Sequence, residues 1–368
     1  MTRRTAPAAP DDALDALVAL TLRLSAVPAP TGDEGERGAV VAELFADAGM
    51  VVGRDEVGNV LARRPGDDPS APAVVVSGHL DTVFGREVAL NPREHAGRLL
   101  CPGVGDNTVA VATLIVLARE LAARPASGTP VVLAATVGEE GLGDLRGAKH
   151  LLRTVATSAF VSLEGHLLDE LVVGGIGSVR LRARYAGPGG HSWGDRGTPS
   201  AVHALLTAGA AAVDAVPEAR HVNVGVARGG TAVNAIAGEA SLVVDLRDED
   251  EARLEETTRL VIGALEHAPA GIAATVERIG HRPAGRTSDR DPLVRAARAA
   301  RADAGLRPAR EDIGSTECNA AFPLDVPTVC IGLTRGGDMH RESEWIEIAP
   351  LRDGLAQARA LLRRLGVG

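Results

Sequence analysis

The sequence predicts an α/β protein in which a mostly parallel-sheet domain is interrupted by a smaller β-α-β-β-α-β insertion. Two observations carry this. Short, wholly apolar runs alternate with helical patterns in the first part of the chain, and after Gly174 the pattern changes to alternating strands around two helices. The length of 368 residues fits two domains, or one with a large insertion.

In order, 11–25 reads as an amphipathic helix and AVVV at 73–76 as a buried strand. A helix over TVAVATLIVLARELAA follows, then strands at 131–137 and 159–163. From 174 the chain reads strand (SVRLRARYA), helix (from Pro199), strand (HVNVGVA), strand (ASLVVDLR), helix (EDEARLEETTRLVIGAL) and strand (IAATVERI), the order of a ferredoxin-like unit. A helix over LVRAARAARADAG, a buried strand at 327–333 and a closing helix then complete the first domain. The domain reading is therefore 1–173 and 285–368 for the main domain and 174–284 for the insertion. The Ala/Pro-rich first ten residues read as a frayed end.

Composition excludes several classes. With 45% hydrophobic residues and 24% charged, the chain lies outside the range of disordered proteins. A net charge of -9 has the wrong sign for neutralising phosphates, and 2% aromatic residues leave few rings for stacking bases, so no nucleic-acid partner is expected. Cys101, Cys318 and Cys330 show no CxxC spacing, which fits a reducing compartment. Arg3 and Arg4 are followed by an aspartate-interrupted stretch where a signal peptide needs an apolar run, and the run at 109–118 is about half the length of a membrane span. The expectation is a cytoplasmic protein without a membrane partner.

The chemistry-bearing residues cluster just after the predicted strands. S-G-H-L-D-T places His79 and Asp81 where side chains i and i+2 of an extended segment project the same way, so one can ligate while the other orients it. PGVGDN sets Asp106 in a glycine-flanked loop at a helix start, TVGEEG puts Glu139 and Glu140 after a strand, SLEG does the same for Glu164, and His340 follows the strand at 327–333. Open α/β sheets bind ligands at the C-terminal ends of their strands. Each acid alone could be a helix cap or a solvated charge. Together they would repel and take up protons unless a cation neutralised them. Two imidazoles with several carboxylates and no thiolate suit Zn²⁺, with Co²⁺ or Mn²⁺ as alternatives, and the donors outnumber the three that one catalytic zinc needs, so two ions are expected.

One motif competes. Gly190-His191-Ser192-Trp193-Gly194 spells the G-x-S-x-G of serine hydrolases. That elbow needs a strand before the serine and a helix after it, whereas Gly-Pro-Gly-Gly precedes and Asp-Arg-Gly-Thr-Pro follows. The segment reads better as a loop through which His191 reaches a substrate.

SGHLDTVF, GVGDN, TVGEEGLG, GGHSWG, GSTECN and DMHRESEW together resemble the co-catalytic zinc metallopeptidase family of aminoacylase, acetylornithine deacetylase, succinyl-diaminopimelate desuccinylase, glutamate carboxypeptidase and tripeptidase. The resemblance covers nearly the whole chain. It implies that His79, Asp106 and Glu164 hold one metal and Asp106, Glu140 and His340 the other, with Asp106 bridging. Asp81 would orient His79, and Glu139 would be the general base. His191, Asn234 and Arg247 resemble the substrate-contacting residues of the family's lid, with an ion pair to Asp245, Asp248 or Glu249 as the other reading of Arg247. The chain departs from the family pattern at Glu317, where Asp is commoner, and at TVAV after GDN. Glu164, in place of Asp, points toward the carboxypeptidase and aminoacylase side. The implied protein is a homodimer joined through its lids. It would cleave a peptide or N-acyl amide bond of a small substrate with a free carboxylate, using a metal-activated water. The alternative from another class is a metal-dependent binding protein on the same scaffold, which would have no need of a base such as Glu139.

Overall fold

The computed structural model describes residues 10–368, so the N-terminal stretch expected to fray lies, Pro10 apart, outside the described residues. The chain runs through α1 (Pro10–Ser25), α2 (Gly35–Asp47), β1 (Val51–Arg54), β2 (Val60–Arg64), β3 (Ala73–His79), α3 (Val109–Ala122), β4 (Val131–Thr136), α4 (Arg146–Thr154), β5 (Thr157–Glu164) and β6 (Glu170–Gly175). There follow β7 (Gly177–Ala186), α5 (Ala201–Asp214), β8 (His221–Gly229), β9 (Glu239–Asp248), α6 (Glu251–Leu265) and β10 (Ala273–Arg282). The chain closes with α7 (Pro292–Asp303), β11 (Arg310–Gly314), β12 (Thr328–Gly332) and α8 (Leu351–Arg364), with shorter strands and single turns between the main elements. Contacts divide it into a first unit, the residues up to Gly175 together with Arg286–Gly368, and a second unit, Ile176–Gly285.

In the first unit the strands run β1-β2-β4-β3-β5-β12-β6, with β11 beside β6. β3 is parallel to β4 and β5, and β5 to β12; β2 joins β4 antiparallel at one side and β6 joins β12 antiparallel at the other. Every residue of β3 and β4 is buried. That is why they read as continuous apolar runs: a parallel sheet is covered on both faces. One cover is α3, whose approach to the sheet depends on Gly78, since a Cβ there would stand 3.1 Å from that of Ala110. The α/β class expected from the sequence is the class observed.

The second unit is an antiparallel sheet in the order β8-β9-β7-β10, carrying α5 and α6. Burial alternates along β7 and β9, so Val179, Leu181, Ala183, Leu242, Val244 and Leu246 face the helices and form one core with Leu254 and Val261. The element order is the predicted β-α-β-β-α-β. No helix among the described residues is long and apolar enough to cross a membrane, and all three cysteines are buried and free.

Candidate metal centre

The register of the central strands brings the candidate residues to one edge. His79, the last residue of β3, pairs with Thr136, the last of β4, and the chain leaves β4 into Glu139 and Glu140. Glu164, the last residue of β5, pairs with Gly332, the last of β12, which leads on to His340. Asp106 comes from the loop before α3.

Side-chain geometry joins them further. His79 is 1% exposed; its Nε2 lies 3.0 Å from Asp106 Oδ1, while Nδ1 lies 3.0 Å from the Asp81 carbonyl oxygen and 3.5 Å from Asp81 Oδ1. The ring is thus held on one nitrogen and turned toward Asp106 with the other. His340 Nε2 lies 3.0 Å from Asp106 Oδ2 and 3.2 Å from Glu140 Oε1. Three overlapping groups each bring donor atoms within 4.8 Å of one another: His79 with Asp106 and Glu164; Asp106 with Glu140 and His340; and His79 with Glu139 and Glu140. Asp106 belongs to the first two, one carboxylate oxygen toward each histidine. His340 has φ 64, a left-handed conformation uncommon for a non-glycine residue and of the kind that gathers at functional sites.

The charges are unbalanced without a cation. Burial, and then the neighbouring Asp106, Glu139 and Glu317, push the Glu164 carboxyl well above its usual range despite His79. Burial of His79 opposes its charge, but the hydrogen bonds of Asp106 and Asp81 prevail and raise its pKa well above the usual value. Hydrogen bonds to Asp106 and Glu140 raise His340 to about 10. The donor set fits divalent ions of the zinc class: imidazole and carboxylate donors without a thiolate, converging within 4.8 Å in each group.

The second unit brings His191 and Asn234 together. The short strand Gly190–His191 pairs with Ala235–Ile236, and the Ser192 N–H donates to the Asn234 carbonyl at 3.0 Å. His191 Nδ1 accepts the N–H groups of Trp193 and Gly194 at 3.2 and 3.1 Å, which leaves Nε2 as the nitrogen that carries the proton. Arg247 is placed apart from them, near the far end of β9, where its Nε donates to Asp245 Oδ2 at 2.8 Å. The ion pair anticipated as the other reading of Arg247 is therefore formed. Ser192 lies in an exposed turn, and the next helix begins only at Ala201, so the elbow required of a serine nucleophile is absent.

Several buried polar residues around the centre escaped the sequence reading. Arg37, 1% exposed, donates to the carbonyls of Val27 and Leu80 and to Thr108, fixing the residue between His79 and Asp81. Glu34 accepts the Gly138 N–H at 3.0 Å, just before Glu139. Asn107 donates to the Leu163 carbonyl and accepts from Gly165, bracketing Glu164. Glu344 is fully buried. The signal available for it was its place four residues after His340. Glu317, noted only as a departure, is also buried, which raises its carboxyl pKa.

Known proteins resemble this chain in sequence and in fold. The model of "Peptidase family M20/M25/M40" matches residues 75–364. A protein of Thermococcus kodakarensis named as a [LysW]-lysine/[LysW]-ornithine hydrolase is 33% identical over 129 residues, which is 35% of this chain and 33% of the relative's length. The aminopeptidase PepT of Bacillus cereus superposes with a TM-score of 0.76 at 21% identity, over 96% of this chain and 98% of its own. A tripeptidase of Staphylococcus aureus gives 0.76 at 20%, over 96% and 98%. The di-peptidase Dug1p of Saccharomyces cerevisiae gives 0.71 at 16%, over 97% of each chain. At these identities the structural likeness is one of fold.

Proposed function

The chain belongs to peptidase family M20/M25/M40, and on that footing we propose that it is a metal-dependent hydrolase cleaving a peptide or N-acyl amide bond of a small substrate with a free carboxylate. The observation that carries the reading is that Asp106 offers one oxygen toward His79 and the other toward His340. Two donor triads thus share a residue, and Glu139 stands beside them as a further acid.

We assign one ion to His79, Asp106 and Glu164 and the other to Asp106, Glu140 and His340, with zinc as the favoured metal. Such ions supply Lewis acidity toward a carbonyl oxygen and toward water. Glu139 is the base: it takes the proton of the attacking water and returns it to the nitrogen that leaves. Its backbone is anchored on Asp81, and neither of the two triads includes it. Asp81 orients His79 through Nδ1. His191 and Asn234 contact the substrate, Arg247 takes its carboxylate by a bidentate contact, and the working form is a homodimer.

The test is metal analysis of the purified protein together with a screen of dipeptides and N-acyl amino acids, with and without a chelator. Chelator-sensitive turnover restored by Zn²⁺ is expected. Hydrolysis indifferent to chelation, or bound metal with no turnover of any amide in the panel, would overturn the reading.

A further inference from the structure

The buried carboxylate of Glu344 has no place in the two triads, yet from the segment of His340 it meets two others that carry them. Its Oε1 accepts the N–H groups of Gly105 and Asp106 at 3.0 and 2.9 Å, and its Oε2 accepts that of Gly103 at 2.6 Å. The same Oε1 lies 3.0 Å from Nε2 of His166, which is 7% exposed and two residues beyond Glu164. Glu344 itself is four residues beyond His340. One fully buried side chain therefore joins the loop of Asp106, the turn after Glu164 and the segment of His340.

The surroundings admit little else. A Cβ on Gly105 or on Gly336 would run into the His166 ring, so the imidazole occupies a slot that two glycines keep open. Because an ionised carboxylate can only accept, His166 must present a proton on Nε2, and the backbone amides can only donate. Four donors on two oxygens leave the carboxylate well satisfied and fix its direction. That arrangement offsets part of the cost of removing a charge from water, burial still holding the Glu344 carboxyl above its usual range.

We propose that Glu344, with His166, is a positioning residue that sets Asp106, Glu164 and His340 at ligating distance before any ion arrives. The inference rests on the metal-centre reading above. A ligand set assembled in advance does not have to be ordered by the ion, so removing the clamp should appear first as lost metal affinity. Partners that orient ligands typically contribute about 10–100-fold to metal affinity.

The experiment measures Zn²⁺ affinity of the full chain by competition with a chromogenic chelator, and records the visible spectrum of the Co²⁺-loaded protein. It compares the parent with Glu344→Gln and His166→Ala. Glu344→Gln keeps the shape but turns an amide N–H₂ against one of the backbone donors. We expect Zn²⁺ binding weaker by about 10–100-fold, with an altered Co²⁺ spectrum, in a protein whose circular dichroism is unchanged. His166→Ala, which removes one of the four donors, should weaken binding in the same direction, and it carries the test alone should Glu344→Gln fail to fold. Parental affinity and spectrum in the variants, with normal metal in the parent, would overturn this inference and leave the metal centre standing. A parent that binds no Zn²⁺ would overturn both.

Discussion

The backbone N–H of Glu139 donates to Asp81 Oδ1 at 3.0 Å, so the proposed base stands on the carboxylate that also faces His79. The neighbouring Glu140 N–H uses Oδ2 of the same group at 2.9 Å. Asp81 therefore orients two backbone N–H groups as well as the His79 ring. It sets the separation between His79 on β3 and the two glutamates that follow β4.

From that arrangement, Glu139→Gln should retain both ions, because the backbone contact to Asp81 and both triads survive. Turnover should fall by about 10²–10⁴-fold, the usual contribution of a general base. Metal content by mass spectrometry and kcat on the same preparation check this. A metal-depleted Glu139→Gln protein would return that residue to the ligand set.

The ligands themselves should behave differently. His340→Ala and Glu140→Ala each remove a donor from the group containing Asp106, and we expect metal content to drop from two ions toward one, with activity lost in step. Excess Zn²⁺ should restore part of it. Two tightly bound ions in either variant would show that these residues are not ligands.

Arg247 is already engaged by Asp245, so a substrate carboxylate must share or displace that partner. Free-acid substrates should exceed their amidated counterparts in kcat/KM by about tenfold or more, as a charge-assisted bidentate contact of about 1.5–3 kcal/mol requires. Arg247→Lys should erase most of that preference. Equal turnover of free and amidated forms in the parent would remove Arg247 from substrate binding.

His191 belongs to the inserted unit and not to the one that carries the metal ligands. His191→Ala should lower kcat more than it raises KM, as expected of a contact made mainly in the transition state. Mixing His191→Ala subunits with Glu139→Gln subunits tests whether the histidine serves the partner of a homodimer. Partial recovery is expected. No recovery despite demonstrated subunit exchange would place its action within one chain.

Burial contrast explains which parts of this molecule were legible in the sequence. β3, β4 and α3 are buried almost throughout, and their apolar runs announced them. α2, β1, β2, β6, α4 and β11 escaped. β1 is largely exposed, and α4 follows Asp144 and Leu145, both at positive φ, which no propensity rule favours for those residues. The proposed metal ligands were legible because all but Asp106, which sits in a glycine-flanked loop, close or follow a strand. Glu344, Arg37 and Asn107 were not, because what distinguishes them is contact across the chain: Glu344 meets Asp106 from 238 residues away. A buried acid looks like a surface acid until its donors are known.

The pairing of β7 with β10 has a consequence for how the chain assembles. Ser178 lies opposite Arg282, and Gly177 packs so closely on Ala284 that a Cβ would collide. The two ends of the insertion are thus pinned about one strand spacing apart, near 4.8 Å. Yet β12, made late in synthesis, must pair with β5, made before the insertion began. Were residues 176–285 an open coil, bringing those strands together would cost the closure entropy of a long loop, about 0.6 kcal/mol for each doubling of length. Once the insertion has folded on itself, its 110 residues count for little more than a turn, and the loop that must close between β5 and β12 shortens to the roughly fifty residues outside it.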